Sequence, residues 1–175
     1  MNLNNTFSIT DLPYLYQYEY LNKAWGVVHE GYFVLPDGSK YKYNSPKQWS
    51  YMTKLVIDKG DDLDAEEGRA YVVTKDTLEP EELFTNLRSS VKQTGLSSLF
   101  KSKLELSDDI LQELMNSEVE DFGFRGCDMG MKSNILWIYD AATMLYKRIL
   151  LHANGDQKFV NQSRAARELF TRYNQ

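Results

Sequence analysis

Cys127, His152 and Asp156 are the residue types that make a nucleophile, its general base and the acid that orients that base. Their spacing fits no protease signature, and Asp156 directly follows the turn residue Gly155, so a structural use of all three is the stronger reading. Cys127, Asp128, His29 and His152 could ligate a metal, but the paired C-x-x-C or H-x-x-x-H spacing of metal proteins is absent. Glu30, Asp37, Glu120 and Asp121 offer carboxylates for glycoside hydrolysis, which needs two of them about 5–9 Å apart. Nothing in the sequence brings any two that close. Gly123-x-x-Gly126 and Gly126-x-x-x-Gly130 lack the lysine and the spacing of a phosphate loop. Arg164, Arg167 and Arg172 could touch phosphate, but Glu168 interrupts them, and a solvated helix face accounts for them better. The sequence therefore predicts no enzyme, no cofactor and no metal site.

Composition sets the remaining bounds. A chain of 175 residues, 42% hydrophobic and 26% charged, predicts one domain with an ordinary core. The single cysteine excludes an internal disulfide and fits a reducing compartment. The first residues lack the basic and apolar regions of a signal peptide, and no apolar run reaches the ~20 residues of a membrane span. A cytoplasmic location away from membranes is the expectation. Net charge is −5 but unevenly spread: residues 1–57 carry +1, residues 58–120 carry −9 and residues 121–175 carry +3. Such a middle segment repels nucleic acid and attracts a basic partner; a solvated face that keeps the chain dispersed is the plainer account.

The elements follow from periodicity. Tyrosines alternate from Tyr14 to Tyr20 with Leu15, Gln17 and Glu19 between them, which predicts a strand. Residues 25–44 predict a hairpin with one wet face: Pro36-Asp37-Gly38 supplies the turn, and Lys40-Tyr41-Lys42-Tyr43 alternates charge and ring. Ser45-Pro46 predicts a short helix striped by Trp49, Met52, Leu55 and Val56. The acidic run 58–68, edged by glycines, predicts a loop, and 70–74 a strand. Glu79 and Pro80 open a second helix burying Leu83, Phe84, Leu87 and Val91, ended by Gly95. Ser107 caps a third, with Ile110, Leu111, Leu114 and Met115 facing inward. Strands at Phe122–Phe124, 134–140 and 144–152 precede a turn at Asn154-Gly155. A last helix over about 162–173 buries Ala165, Ala166, Leu169, Phe170 and Tyr173.

These elements predict the α+β class: a mostly antiparallel sheet with helices packed on one face, and a C-terminal β-meander followed by a closing helix. The expected organisation is a single domain over 1–175 with an acidic, partly flexible segment at about 58–68. Eight of the twelve tyrosines fall between Tyr14 and Tyr51. They suit either an interface or a half-wet sheet.

Two segments carry a resemblance. The first is Gly31-Tyr32-Phe33-Val34-Leu35-Pro36-Asp37-Gly38-Ser39-Lys40-Tyr41-Lys42-Tyr43. The second, within 126–170, comprises Asp128-Met129-Gly130, an aromatic strand pair, Gly155-Asp156, Asn161 and a closing helix with Ala166 and Leu169. Together they resemble small bacterial immunity proteins, which neutralise toxins used in competition between bacteria. Gln157-Lys158-Phe159 departs from the acidic or tryptophan-bearing continuation of that pattern, and residues 45–120 match none of it. The resemblance implies inhibition by binding to a protein partner, a basic toxin domain, with no nucleic acid or membrane involved. Under it Asp61, Asp62, Asp64, Glu66 and Glu67 enter a cationic cleft, flanked by Tyr41 and Tyr43 as anchors. The competing expectation is an adaptor or regulatory protein-interaction module of a phage or mobile element.

Overall fold

The computed structural model of the chain describes residues 6–22, 28–46, 53–58, 69–94, 103–126 and 129–174, with the backbone alone described for 53–58 and 69–74. In chain order the elements are β1 (Tyr14–Asn22), β2 (Val28–Val34), β3 (Lys40–Asn44), β4 (Thr53–Asp58), β5 (Arg69–Thr74), β6 (Thr77–Leu78), α1 (Pro80–Ser89), β7 (Val91–Lys92), α2 (Asp108–Met115), β8 (Val119–Phe124), β9 (Met131–Asp140), β10 (Leu145–Gly155), β11 (Gln157–Asn161) and α3 (Arg164–Tyr173). The main sheet runs β7-β3-β2-β1-β9-β10-β11-β8, with β6 also paired to β10, and β4 and β5 form a separate two-stranded ladder. Every ladder is antiparallel. The fold is α+β, with a mostly antiparallel sheet and a closing C-terminal helix.

The sheet's alternation sorts the core onto two faces. Leu15, Phe33, Tyr41, Tyr43, Ile135, Trp137 and Tyr146 share one face with Leu83, Phe84 and Leu87 of α1. Tyr14, Tyr16, Val34, Leu136, Ile138 and Leu151 share the other with Leu114 of α2 and Ala165, Ala166, Leu169 and Tyr173 of α3. The helices thus divide between both faces, where the sequence placed them on one. The reason is that β1 and β9 sit mid-sheet and carry apolar side chains on both sides, as strands covered twice must.

Local chemistry explains most boundaries. The β2–β3 hairpin turns at Gly38, whose φ of 85° is the left-handed region that glycine enters freely. Ser107 Oγ accepts from the Ile110 amide at 3.3 Å to start α2, and Ser163 Oγ accepts from the Ala166 amide at 3.1 Å to start α3. Two expectations fail. Thr53–Asp58 is strand β4, so the helix read from Ser45-Pro46 does not extend through Leu55 and Val56; β-branched Thr53, Val56 and Ile57 favour the extended form. Residues 47–52, and with them Trp49 and Met52, lie outside the described residues. Helix α1 ends at Ser89, and Val91 moves into the edge strand β7 with 66% of its surface exposed. Strand β11 adds to these elements, filling the stretch between the Asn154-Gly155 turn and the last helix.

The tyrosines of β1 are structural. Tyr14 donates to the Leu104 carbonyl at 2.9 Å and accepts from the Leu106 amide at 3.0 Å, pinning the segment that leads into α2. Tyr16 donates to Asn134 and stacks on Tyr173 of α3 at 4.7 Å, while Tyr18 stacks on Tyr32 at 5.3 Å. Burial pushes the Tyr32 phenol up to about 12 and raises those of Tyr16, Tyr43 and Tyr146 as well. Their folded values lie above the ordinary value of 10.0, so the fold binds protons that the unfolded chain releases first. Stability is therefore fully present below pH 10 and is lost as pH climbs through the folded values. Urea midpoints should hold level to about pH 9.5 and then fall steeply. A midpoint unchanged up to about pH 11.5 would contradict this reading.

Candidate partner-binding surface

Of the partner-binding residues named from the sequence, the structure describes Tyr41 and Tyr43. Asp61, Asp62, Asp64, Glu66 and Glu67 lie outside the described residues. Tyr41 and Tyr43 are buried, 5% and 3% exposed, so they do not stand on the surface as anchors. The lysines take the wet face of β3 instead, with Lys42 exposed and the Lys40 amine 3.8 Å above the Tyr32 ring. Tyr41 meets Phe7 edge-on at 5.9 Å, and Tyr43 packs against Phe33 at 5.4 Å. The alternation of ring and charge was legible; which of the two faced inward followed from α1 covering the aromatic side.

Among the described residues, the candidates for chemistry are dispersed. Cys127 and Asp128 lie outside the described residues. His152 is stacked on Phe170 at 4.1 Å, and burial, then nearby Lys158, lowers its pKa. Asp156 accepts from the Met129 amide at 2.9 Å, which fixes the loop before β9. His29 donates to Glu19 at 2.8 Å, both side chains being buried. Glu30 lies on β2 and Glu120 on β8, five strands apart in the sheet. At about 4.8 Å per strand that is on the order of 24 Å, too far for a carboxylate pair. Asp37 accepts from the Ser39 amide at 2.8 Å and Asp121 from the Gly123 amide at 2.7 Å, so each serves its own turn. Arg164 pairs with Glu168 at 2.7 Å, and Arg172 donates to the Lys103 carbonyl at 3.0 Å. A cavity of about 540 Å³ opens between the N-terminal turn and the β2–β3 turn; its carboxylates are Asp11 and Asp37, and Asp11 is already held by Ser8 at 2.6 Å. No group of three or more potential metal ligands occurs among the described residues.

A different surface gathers exposed charge and exposed apolar area. Glu113 of α2, and Glu118, Glu120 and Asp121 on and beside β8, are all exposed. Three of these acids converge on residues 162–165. Glu113 accepts from the Ala165 amide at 3.1 Å, the Glu118 carbonyl accepts from the Gln162 amide at 2.9 Å, and Glu120 accepts from the Gln162 side chain at 2.8 Å. Strand β8 ends the sheet, and among the described residues its outer side pairs with nothing. It carries Val119, Phe122 and Phe124 at 42%, 50% and 67% exposure. Large exposed aromatics on a strand end, rimmed by carboxylates, are the pattern of an interaction surface. Sequence reading placed Phe122 and Phe124 on a strand but not at the sheet's edge, because strand order depends on pairings remote in the chain.

A second feature escaped the sequence reading. Trp137 Nε1 donates to Gln17 Oε1 at 2.8 Å, Gln17 Nε2 donates to the Tyr43 hydroxyl at 2.9 Å, and that hydroxyl donates to the Tyr18 carbonyl at 3.1 Å. Gln17 and Trp137 are fully buried. This relay links β9, β1 and β3 and fixes how they sit against one another, so its part is structural. The signal available was the period itself: Gln17 and Glu19 alternate with tyrosines in a strand that both faces of the fold cover.

No family model, curated protein or solved structure matches the chain. No helix among the described residues is long and apolar enough to cross a membrane.

Proposed function

We propose that the chain works by binding, as a non-enzymatic immunity protein that neutralises a bacterial toxin domain of basic character through direct protein–protein contact. One observation supports the reading above others: the exposed Glu118, Glu120 and Asp121 lie on and beside β8 with the exposed Val119, Phe122 and Phe124, and Glu113 of α2 reaches the nearby Ala165. Opposite charge across an interface speeds encounter and rejects wrong partners, while exposed aromatics supply the desolvated contacts that hold a complex. The surface offered to the partner therefore moves from the Tyr41 and Tyr43 face to the β8 end of the sheet. The acids at 61–67 remain part of the proposal as further attraction for a cationic partner.

The test is association with a basic toxin domain encoded beside this chain's gene, followed by stopped-flow at low and high salt. Neutralising Glu118, Glu120 and Asp121 to their amides should slow association at low salt by roughly tenfold, with little change in high salt. An association rate indifferent to both salt and these substitutions would refute the reading.

A further inference from the structure

We infer that the outer edge of β8 is a docking strand that receives an extended, lysine- or arginine-bearing segment of a partner protein as an added strand. The inference rests on the binding reading above and specifies how that binding is made.

The backbone argument comes from register. The Glu118 carbonyl is used inward by the Gln162 amide, and Glu120 faces Val160 across the ladder. Amide direction alternates along an antiparallel strand, so Val119 and Asp121, opposite Asn161 and Phe159, turn their N–H and C=O groups outward. Those outward groups are what a further strand requires. Beyond them the ladder shifts between Gln157 and Phe159, and Gly123 takes a φ of 83°. Two β8 residues there oppose one of β11, and such a bulge bends the edge and ends regular pairing. The docking length is thus short, 118–121, with Phe122 and Phe124 standing just past it.

Charge selects the occupant. Edge strands are commonly charged to prevent pairing between copies. A second copy laid antiparallel on β8 would bring two sets of Glu118, Glu120 and Asp121 across one seam, six carboxylates in all. Repulsion disfavours that arrangement, whereas a strand bearing cations at alternate positions sets them on one face of the pleat, where they neutralise Glu118 and Glu120. Lys158, whose amine sits 5.4 Å from the Phe122 ring centre, shows that a cation is accommodated beside this aromatic.

The experiment uses the full chain and a capped heptapeptide alternating lysine with valine, with a glutamate–valine heptapeptide as control. Amide exchange is followed residue by residue by NMR at low salt. The lysine peptide should slow exchange at Val119 and Asp121 by at least about tenfold, leave Glu118 and Glu120 little changed, and do so where the glutamate peptide does not. Val119→Pro removes an outward donor without touching an inward bond, and should abolish this protection; Phe122→Ser with Phe124→Ser should weaken it. Unchanged exchange at Val119 and Asp121, or peptide affinity unaltered by Val119→Pro in a folded variant, would overturn the inference. So would protection of these amides in the free protein together with a doubled mass, which would make the edge a seam between copies. Should Val119→Pro fail to fold, the exchange pattern of the wild type decides alone. Peptide docking at β8 with toxin contacts elsewhere would refute the proposed function and spare the strand. Toxin binding without protection of β8 would do the reverse.

Discussion

Replacing Gln17 by leucine is expected to lower the unfolding free energy by about 2–4 kcal/mol, among the largest losses from any conservative change in size. The side chain accepts from Trp137 Nε1 at 2.8 Å and donates to the Tyr43 hydroxyl at 2.9 Å from a position with no exposed surface. Leucine fills the volume but leaves the indole N–H without its acceptor in a site closed to water. An unpaired buried donor costs more than the bond itself contributed, because its hydration is not recovered. Removing the donor as well should recover part of the loss. Gln17→Leu combined with Trp137→Phe should therefore cost less than the sum of the two single changes, by about 1 kcal/mol or more. Urea titrations of the four proteins measure this, and strict additivity would show that the relay does not hold the strands.

Gly31→Ala should be comparably severe for a different reason. Gly31 lies on β2 opposite Glu19, and the Tyr43 ring folds over it from β3. A methyl group there would run into the Tyr18 carbonyl and would meet the Tyr43 hydroxyl at 2.5 Å and its ring carbon at 2.8 Å. A backbone carbonyl in mid-sheet cannot step aside, so the β1–β2 spacing opens or Tyr43 leaves the core. Overpacking of this kind costs about 1–3 kcal/mol and sometimes more. For a chain of this length about 3 kcal/mol corresponds to a fall of roughly 6–12 °C in Tm. Gly123→Ala provides the contrast, since a methyl there meets nothing within 4 Å and bears only the strain of a φ of 83°. Thermal melts in which Gly31→Ala proves no worse than Gly123→Ala would remove the steric argument.

Both predictions concern residues whose role the sequence half disclosed. Period two in 14–20 and 40–43 was legible, as were the turn at Gly38 and the serine caps of α2 and α3, because each depends on neighbours in the chain. What was not legible is long-range. Strand β1 pairs with β9, Tyr18 opposite Asn134, and that adjacency buries Gln17 and Glu19. The same holds for the proposed surface. Phe122 and Phe124 look like ordinary core residues until β8 is known to be the last strand, and Tyr41 and Tyr43 look like surface anchors until α1 is known to cover them. Leu55 and Val56 illustrate a true ambiguity of period, since a short apolar run fits a helical stripe and a strand equally well.

Growth protection tests the central claim most directly. Basic domains encoded by the genes flanking this one are expressed in turn in a host together with the wild-type chain, with the Glu118→Gln, Glu120→Gln, Asp121→Asn variant, or with a folded Phe122→Ser, Phe124→Ser variant. The account predicts rescue by the wild type and reduced or no rescue by either variant, at equal abundance. Undiminished rescue by both would contradict it, as would a wild-type chain that binds no toxin domain and leaves growth unprotected.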